Sequence, residues 1–246
     1  SRNGELVSNM WLDINFDRTG MVSTAGATGA ADYSNWTNNT GHAYLKECSV
    51  EIGGQEIDKH TSEWLDIYNE LTDHDESEWI GLNKHSAKNA YLKSNATTTV
   101  PKTKLYIPLK FWFCRNPGLA LPLIALQYHE VKFNIEFAAL ADISTTVTAT
   151  NTLTLGDTSL FIDYVYLDTD ERRRFAQTSH EYLIEQLQFT GDESITGTNN
   201  KIKLNFNHPV KCLVWAVKAG AAANFVYTGI TSAKLQLNGH DRFAER

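Results

Sequence analysis

Hydrophobic and polar residues alternate with a period of two along most of the chain. Met10, Leu12, Ile14 and Phe16 fall on one side of a strand whose other side is mostly polar, carrying Trp11, Asp13, Asn15 and Asp17. Such alternation marks a half-buried β-strand. Val131, Phe133, Ile135 and Phe137 alternate in the same way with Lys132, Asn134 and Glu136, as do Ile202, Leu204 and Phe206 with Lys203 and Asn205. Leu105 to Phe113 and Leu160 to Leu167 are apolar on both faces and read as strands deep in a sandwich; Leu213 to Val217 is a further strand. Between them lie stretches rich in Gly, Ser, Thr and Asn, at 20–41, 95–103, 144–158 and 191–200, which read as long surface loops. Asn116-Pro117-Gly118 is a turn signal that closes the Leu105 to Phe113 strand. The apolar segment Leu119 to Leu126 follows, destined for the core or a neighbouring subunit.

Two segments have helical spacing instead. Trp64, Ile67, Tyr68 and Leu71 stand at i, i+3, i+4 and i+7, with Asp58 or Thr61 as candidate cap. In Asp168-Thr169-Asp170-Glu171-Arg172-Arg173-Arg174-Phe175-Ala176-Gln177 acids precede bases, complementing a helix dipole, and Asp168 with Glu171 resembles a capping box. This charged helix separates two β-rich regions and reads as a connector over 168–178. Only 68 residues follow it. Eight strands with loops need at least about 80, so a second full sandwich does not fit in what remains.

Many strands joined by long polar loops predict an all-β sandwich or jelly roll with short helices. Among 246 residues, 42% are hydrophobic and 11% aromatic, which suffices for a packed core. The net charge of -7, with 22 Lys and Arg scattered among 29 acids, argues against direct nucleic-acid binding. Cys48, Cys114 and Cys212 are far apart and form no CxxC pair, so they read as reduced, mostly buried thiols. No apolar run approaches the ~20 residues that span a bilayer. The chain does not begin with Met, so it is expected to be processed or part of a longer chain.

Catalytic and metal patterns are weak. His129-Glu130 and His180-Glu181 open like HExxH, but Phe133 and Ile184 occupy the second histidine position. His60, His74 and His85 with Asp58, Asp73, Asp75 and Glu76 suggest a metal cluster, but their irregular spacing fits a solvated acidic turn better. There is no His-x-His pair, no Gly-x-Ser-x-Gly elbow and no phosphate-cradling loop. No cofactor and no enzymatic activity are expected. Three sequons, at Asn35, Asn38 and Asn95, lie in expected loops and are candidate glycosylation sites, with unmodified asparagine the expectation. The six Trp and ten Tyr leave a carbohydrate-binding sandwich as the alternative reading.

Five stretches in order carry a resemblance. They are Ile52-Gly53-Gly54-Gln55-Glu56-Ile57-Asp58-Lys59-His60 with Glu63-Trp64-Leu65 and Asn69-Glu70-Leu71-Thr72; Phe111-Trp112-Phe113-Cys114-Arg115-Asn116-Pro117-Gly118-Leu119 running on to Val131; Asp163 to Ala176; Asn207-His208-Pro209-Val210-Lys211; and Leu235-Gln236-Leu237-Asn238-Gly239-His240-Asp241-Arg242-Phe243. Together they resemble the major capsid proteins of nucleocytoplasmic large DNA viruses. The resemblance implies a double jelly roll, with 1–167 a complete first jelly roll, 168–178 the helical connector and 179–246 a truncated beginning of the second. It also implies a homotrimeric, pseudo-hexameric capsomer, made in the host cytoplasm, that tiles an icosahedral virion shell. The implied partners are neighbouring capsomers, minor capsid proteins and an internal membrane beneath the shell. Asp170, Glu171, Arg172, Arg173 and Arg174 are expected to make ion pairs between the two jelly rolls or in the trimer.

Overall fold

The computed structural model describes residues 3–17, 34–36, 39–72, 103–139, 142–146, 154–218 and 227–241. The chain divides into two compact units, Ser1–Leu187 and Gln188–Arg246.

In the first unit every strand pairing is antiparallel. Strand β1 (Leu6–Asp17) is the centre of one sheet. On one side it pairs with β5 (Thr103–Pro108) and with the short β6 (Leu121–Pro122); on the other it pairs with β9 (Thr154–Val165). A second sheet has the order β4-β3-β7, from Gln55–Thr61, Leu45–Ile52 and Val131–Phe137. Two short strands, β2 (Ser34–Trp36) and β8 (Ser144–Thr146), pair with each other.

The alternation of β1 appears as burial. Met10, Leu12 and Ile14 are at most 2% exposed, and Leu12 and Ile14 face Ile107 and Leu105 of β5 across the ladder. Val7 is also buried although its parity differs, because a bulge between Val7 and Asn9 shifts the register against β9. Asp13 is buried too, and its carboxylate meets Lys104 Nζ at 2.6 Å. In the second sheet Cys48 and Val50 of β3 are buried opposite His60 and Asp58 of β4. The turn joining these strands is Gly53-Gly54, with φ of 60° and 85°, values that favour glycine.

Leu105 to Phe113 does not form one long strand. The ladder of β5 ends at Pro108, which has no N–H to donate; Leu109 N adds one further bond to Met10 O at 2.9 Å. The chain then turns into a short helix α3 (Trp112–Arg115). This bend carries Phe111 and Phe113, both fully buried, to the second sheet. Phe111 stacks on His60 of β4 at 4.8 Å between centroids, and both phenylalanines lie 6.2–6.4 Å from Phe133 of β7. The run is apolar on both faces because it is the seam of the sandwich.

The loops also differ from expectation. The 20–41 stretch contains β2 and the start of helix α1 (Thr40–Tyr44), and the 144–158 stretch contains β8 and the start of β9. Asn35 therefore lies in a strand, opposite Thr145, while Asn38 and Asn95 fall outside the described residues. The amphipathic helix forms as α2 (Ser62–Thr72), with Thr61 Oγ1 accepting from Trp64 N at 3.4 Å. Leu119 to Leu126 is divided: Ala120, Leu121 and Pro122 are buried, Leu119, Leu123, Ile124 and Leu126 are half-buried, and Ala125 is exposed.

The second unit contains two short pairings, Val217–Lys218 with Tyr227–Thr228 and Gln236–Leu237 with His240–Asp241. The strands expected at 202–206 and 213–217 are not formed as ladders; only Val217 enters one. Alternation chooses a face, but a strand also needs a hydrogen-bonded neighbour. Ile202 and Leu204 remain 46% and 44% exposed.

Candidate functional site

The segment that leaves the first sandwich is the connector, helix α4 (Thr169–Gln177). Asp168 caps it: its Oδ1 accepts from Glu171 N at 2.9 Å, and its carbonyl accepts from Arg172 N at 2.9 Å. Asp170 and Glu171 lie in the first turn and Arg174 in the last, as the dipole favours. The helix is otherwise polar and exposed, so it is held by its contacts rather than by an apolar stripe.

Two anchors fix it to the first unit. The Arg172 guanidinium is ion-paired with Glu5, just before β1. Glu5 is largely buried, its side chain 12% exposed, and its other oxygen accepts from Leu167 N at 3.1 Å. Glu5 N also donates to Val165 O at 3.2 Å, so the start of β1 and the end of β9 are joined by backbone and side chain together. Past the helix, His180 stacks on Phe175 at 5.0 Å, and its Nε2 lies 2.7 Å from Phe175 O.

The second anchor lies at 185–187. Arg115 meets Glu185 through Oε2 at 3.4 Å and through the carbonyl at 3.1 Å. Gln186 donates its side-chain N–H to Ile57 O, and Leu187 N donates to Asp58 Oδ1 at 3.1 Å. Asp58 is buried at the edge of β4 and also accepts from Lys59 N at 3.0 Å, while its Oδ2 is 3.1 Å from His60 Nε2. The two backbone N–H groups satisfy Oδ1, whereas the buried Oδ2 makes no hydrogen bond and has only the His60 ring nearby. The acidic stretch expected around Asp58 and His60 is therefore not a solvated turn at these two positions; both lie inside the sandwich on β4. His74, His85, Asp73, Asp75 and Glu76 lie outside the described residues.

Cys48, His60 and Asp58 are the residue types of a nucleophilic triad, and Cys48 and His60 are directly cross-strand. The chemistry does not follow. Burial first, with nearby acids adding, pushes the Cys48 thiol up to about 12, so it stays protonated and inert. Cys114 is likewise pushed up to about 12 by burial, and Cys212 is exposed, contrary to a mostly buried set in its case. Among the described residues, no group of three or more His, Cys, Asp or Glu is arranged to hold a metal ion. No helix among them is long and apolar enough to cross a membrane.

The expected connector residues thus divide. Arg172 reaches Glu5 within the first unit; Arg173 lies 4.0 Å from Asp170 of its own helix, an exposed pair of little energetic weight. Glu5, Arg115, Glu185 and the Asp58–His60 pair carry no signal as anchors in the local sequence. They are far apart along the chain, and no local spacing joins them.

This sandwich-plus-connector arrangement matches known proteins along its whole length. The model of the family "Major capsid protein N-terminus" covers residues 1–168, and that of "Large eukaryotic DNA virus major capsid protein" covers 171–246. The chain belongs to the major capsid proteins of large eukaryotic DNA viruses. It is 52% identical over 249 residues to the major capsid protein of Pyramimonas orientalis virus, covering all of this chain and 58% of that protein. It is 35% identical to the major capsid protein of Paramecium bursaria Chlorella virus 1, covering all of this chain and 62% of that one. A quasi-atomic model of the PBCV-1 virus capsid superposes with a TM-score of 0.70 at 31% identity, covering the whole of this chain and 65% of its own. The fold of this chain is accordingly the viral jelly roll. The chain spans under two thirds of the length of these relatives.

Proposed function

We propose that this chain is a structural subunit of a virus shell, acting by assembly and not by catalysis. The observation that carries this reading is the family match over both regions, supported by 52% identity to a major capsid protein along the entire chain. Three copies form a homotrimeric capsomer. Two jelly rolls per full chain, the first over 1–167 and the second beginning at 179, give six similar wedges and hence a pseudo-hexagonal outline suited to an icosahedral lattice. The connector over 168–178 sets the orientation of one wedge against the other, with Asp170, Glu171 and Arg172 to Arg174 as its structural residues. Capsomers meet neighbouring capsomers and minor capsid proteins, above an internal membrane, and are made in the host cytoplasm. The net charge of -7 supports a shell that does not itself coat nucleic acid.

The carbohydrate-binding alternative needs a platform of free aromatic faces. Trp112 is 5% exposed, while Trp11 lies against Phe161 and Trp64 against Tyr68; Trp215, at 64%, is the tryptophan among the described residues that is largely exposed. Electron microscopy of the purified full-length protein tests the proposal. Threefold particles with a six-lobed outline are expected; separate single subunits at all concentrations would refute it.

A further inference from the structure

From Asp168 to Leu187 no residue is buried; each is exposed or half-buried, and Leu183 is 90% exposed. The sandwich beneath is the opposite, with Leu12, Ile14, Leu105 and Ile107 at most 2% exposed. A segment that buries so little apolar surface opens at far lower free energy than the core it lies on. What holds it down is polar. Arg172 is paired with Glu5, Arg115 Nη1 lies 3.4 Å from Glu185 Oε2, and Leu187 N donates to Asp58 Oδ1 at 3.1 Å. Glu5 also accepts from Leu167 N at 3.1 Å, one residue before the helix cap. Each of these attachments has a carboxylate at one end. Two further bonds, from Gln186 to Ile57 O and from Arg115 to Glu185 O, end on backbone carbonyls.

We infer that residues 168–187 form an acid-released strap: neutralising Glu5, Glu185 and Asp58 frees the connector from the first unit while its sandwich stays closed.

The groups that face each carboxylate set the order of release. Glu5 faces Arg172 of α4, with Tyr166 beside the pair. Glu185 faces Arg115 of α3, whose guanidinium also lies over the Tyr68 ring of α2 at 5.7 Å. Both ion pairs have one member in water, Arg172 at 53% and Glu185 at 51% exposed. Protonation turns each pair into an uncharged hydrogen bond, which water replaces more readily. Asp58 faces His60, and behind it Cys48 of β3; the Lys59 ammonium is turned away to Glu47. An imidazolium at His60, 3.1 Å from Asp58 Oδ2, favours the charged carboxylate, so Asp58 is the last to let go. What the freed connector does between two jelly rolls rests on the assembly reading above. The release itself does not, and its failure leaves that reading standing.

The test is hydrogen exchange by mass spectrometry on the full-length protein, with each amide corrected for its intrinsic rate. The amides of Leu167 and Leu187 are bonded to carboxylates and those of Arg172 and Thr178 close the helix, so peptides over 167–187 report release directly. Glu5→Gln with Glu185→Gln copies the neutral state at constant pH and leaves Asp58 in place. At pH 7 this variant is expected to lose roughly three- to tenfold of the strap's protection, while β1 and β9 peptides keep theirs. Glu136→Gln, which removes the partner of Lys46 on β7, is expected to leave the strap unchanged. On acidifying wild type from pH 7 toward the ordinary carboxylate range near about 4, strap peptides are expected to open at higher pH than β1 and β9 peptides. Strap and sandwich opening together in acid, or a double variant as protected as wild type at pH 7, overturns the inference.

Discussion

Arg172 of the connector is ion-paired with Glu5 at the start of β1, although the two residues stand 167 apart in sequence. Glu5 is mostly shielded from water while Arg172 is half exposed. Removing the guanidinium leaves a shielded carboxylate with one remaining bond, from Leu167 N. Arg172→Ala is expected to cost about 1–2 kcal/mol. Glu5→Gln keeps an acceptor for Leu167 and is expected to cost less. Urea unfolding of both single variants and the double variant measures the coupling. Strictly additive losses would show that the two residues do not act together.

Burial holds His42 neutral. It is fully enclosed, and burial first and then the Lys110 charge lower its pKa from 6.5 to about 3. The unfolded chain therefore binds a proton between pH 6.5 and 3 that the folded chain refuses. The associated stability is present above pH 6.5 and is lost as pH falls toward 3, with an upper bound of roughly 5 kcal/mol. His42→Gln is expected to flatten the fall in thermal midpoint between pH 6.5 and 4. An unchanged slope would exclude His42 as its source.

Gly53 combines φ of 60° with close packing: a Cβ there would sit 2.8 Å from His129 Nδ1. Gly53→Ala is expected to destabilise by about 1–2 kcal/mol, from backbone strain and displacement of His129. Gly54→Ala shares the strain but meets no atom within 4 Å, and is expected to cost less. Thermal melts of the pair separate the two contributions.

The thiols differ in access. Cys212 is expected to react with a soluble alkylating reagent in the native protein, while Cys48 and Cys114, whose thiols are pushed up to about 12, are expected to react only on unfolding. Peptide mass mapping reads this directly; early labelling of Cys48 would contradict the packing at the β3–β4 ladder.

The sequence disclosed whatever is encoded by short-range spacing. Val131 to Phe137 alternates cleanly and forms a strand with those bounds; the Trp64 to Leu71 spacing lies within α2; Asp168 caps the connector as its position predicts. Long-range partnerships were not legible. Asp58 and His60 look like surface polar residues because their burial depends on Leu187 and Phe111, which return from elsewhere in the chain. Phe111 and Phe113 look like a continued strand because a seam between sheets and a doubly buried strand are both uninterrupted apolar runs. Ile202 to Phe206 has a strand's alternation but finds no ladder, since pairing is a property of two segments.

We propose that the full-length protein builds a trimeric capsomer. The most direct measurement is the mass of the full-length protein in solution, by size exclusion with light scattering over a range of concentrations. A stable species of three times the mass of a single chain is predicted. A strict monomer at every concentration would contradict the account.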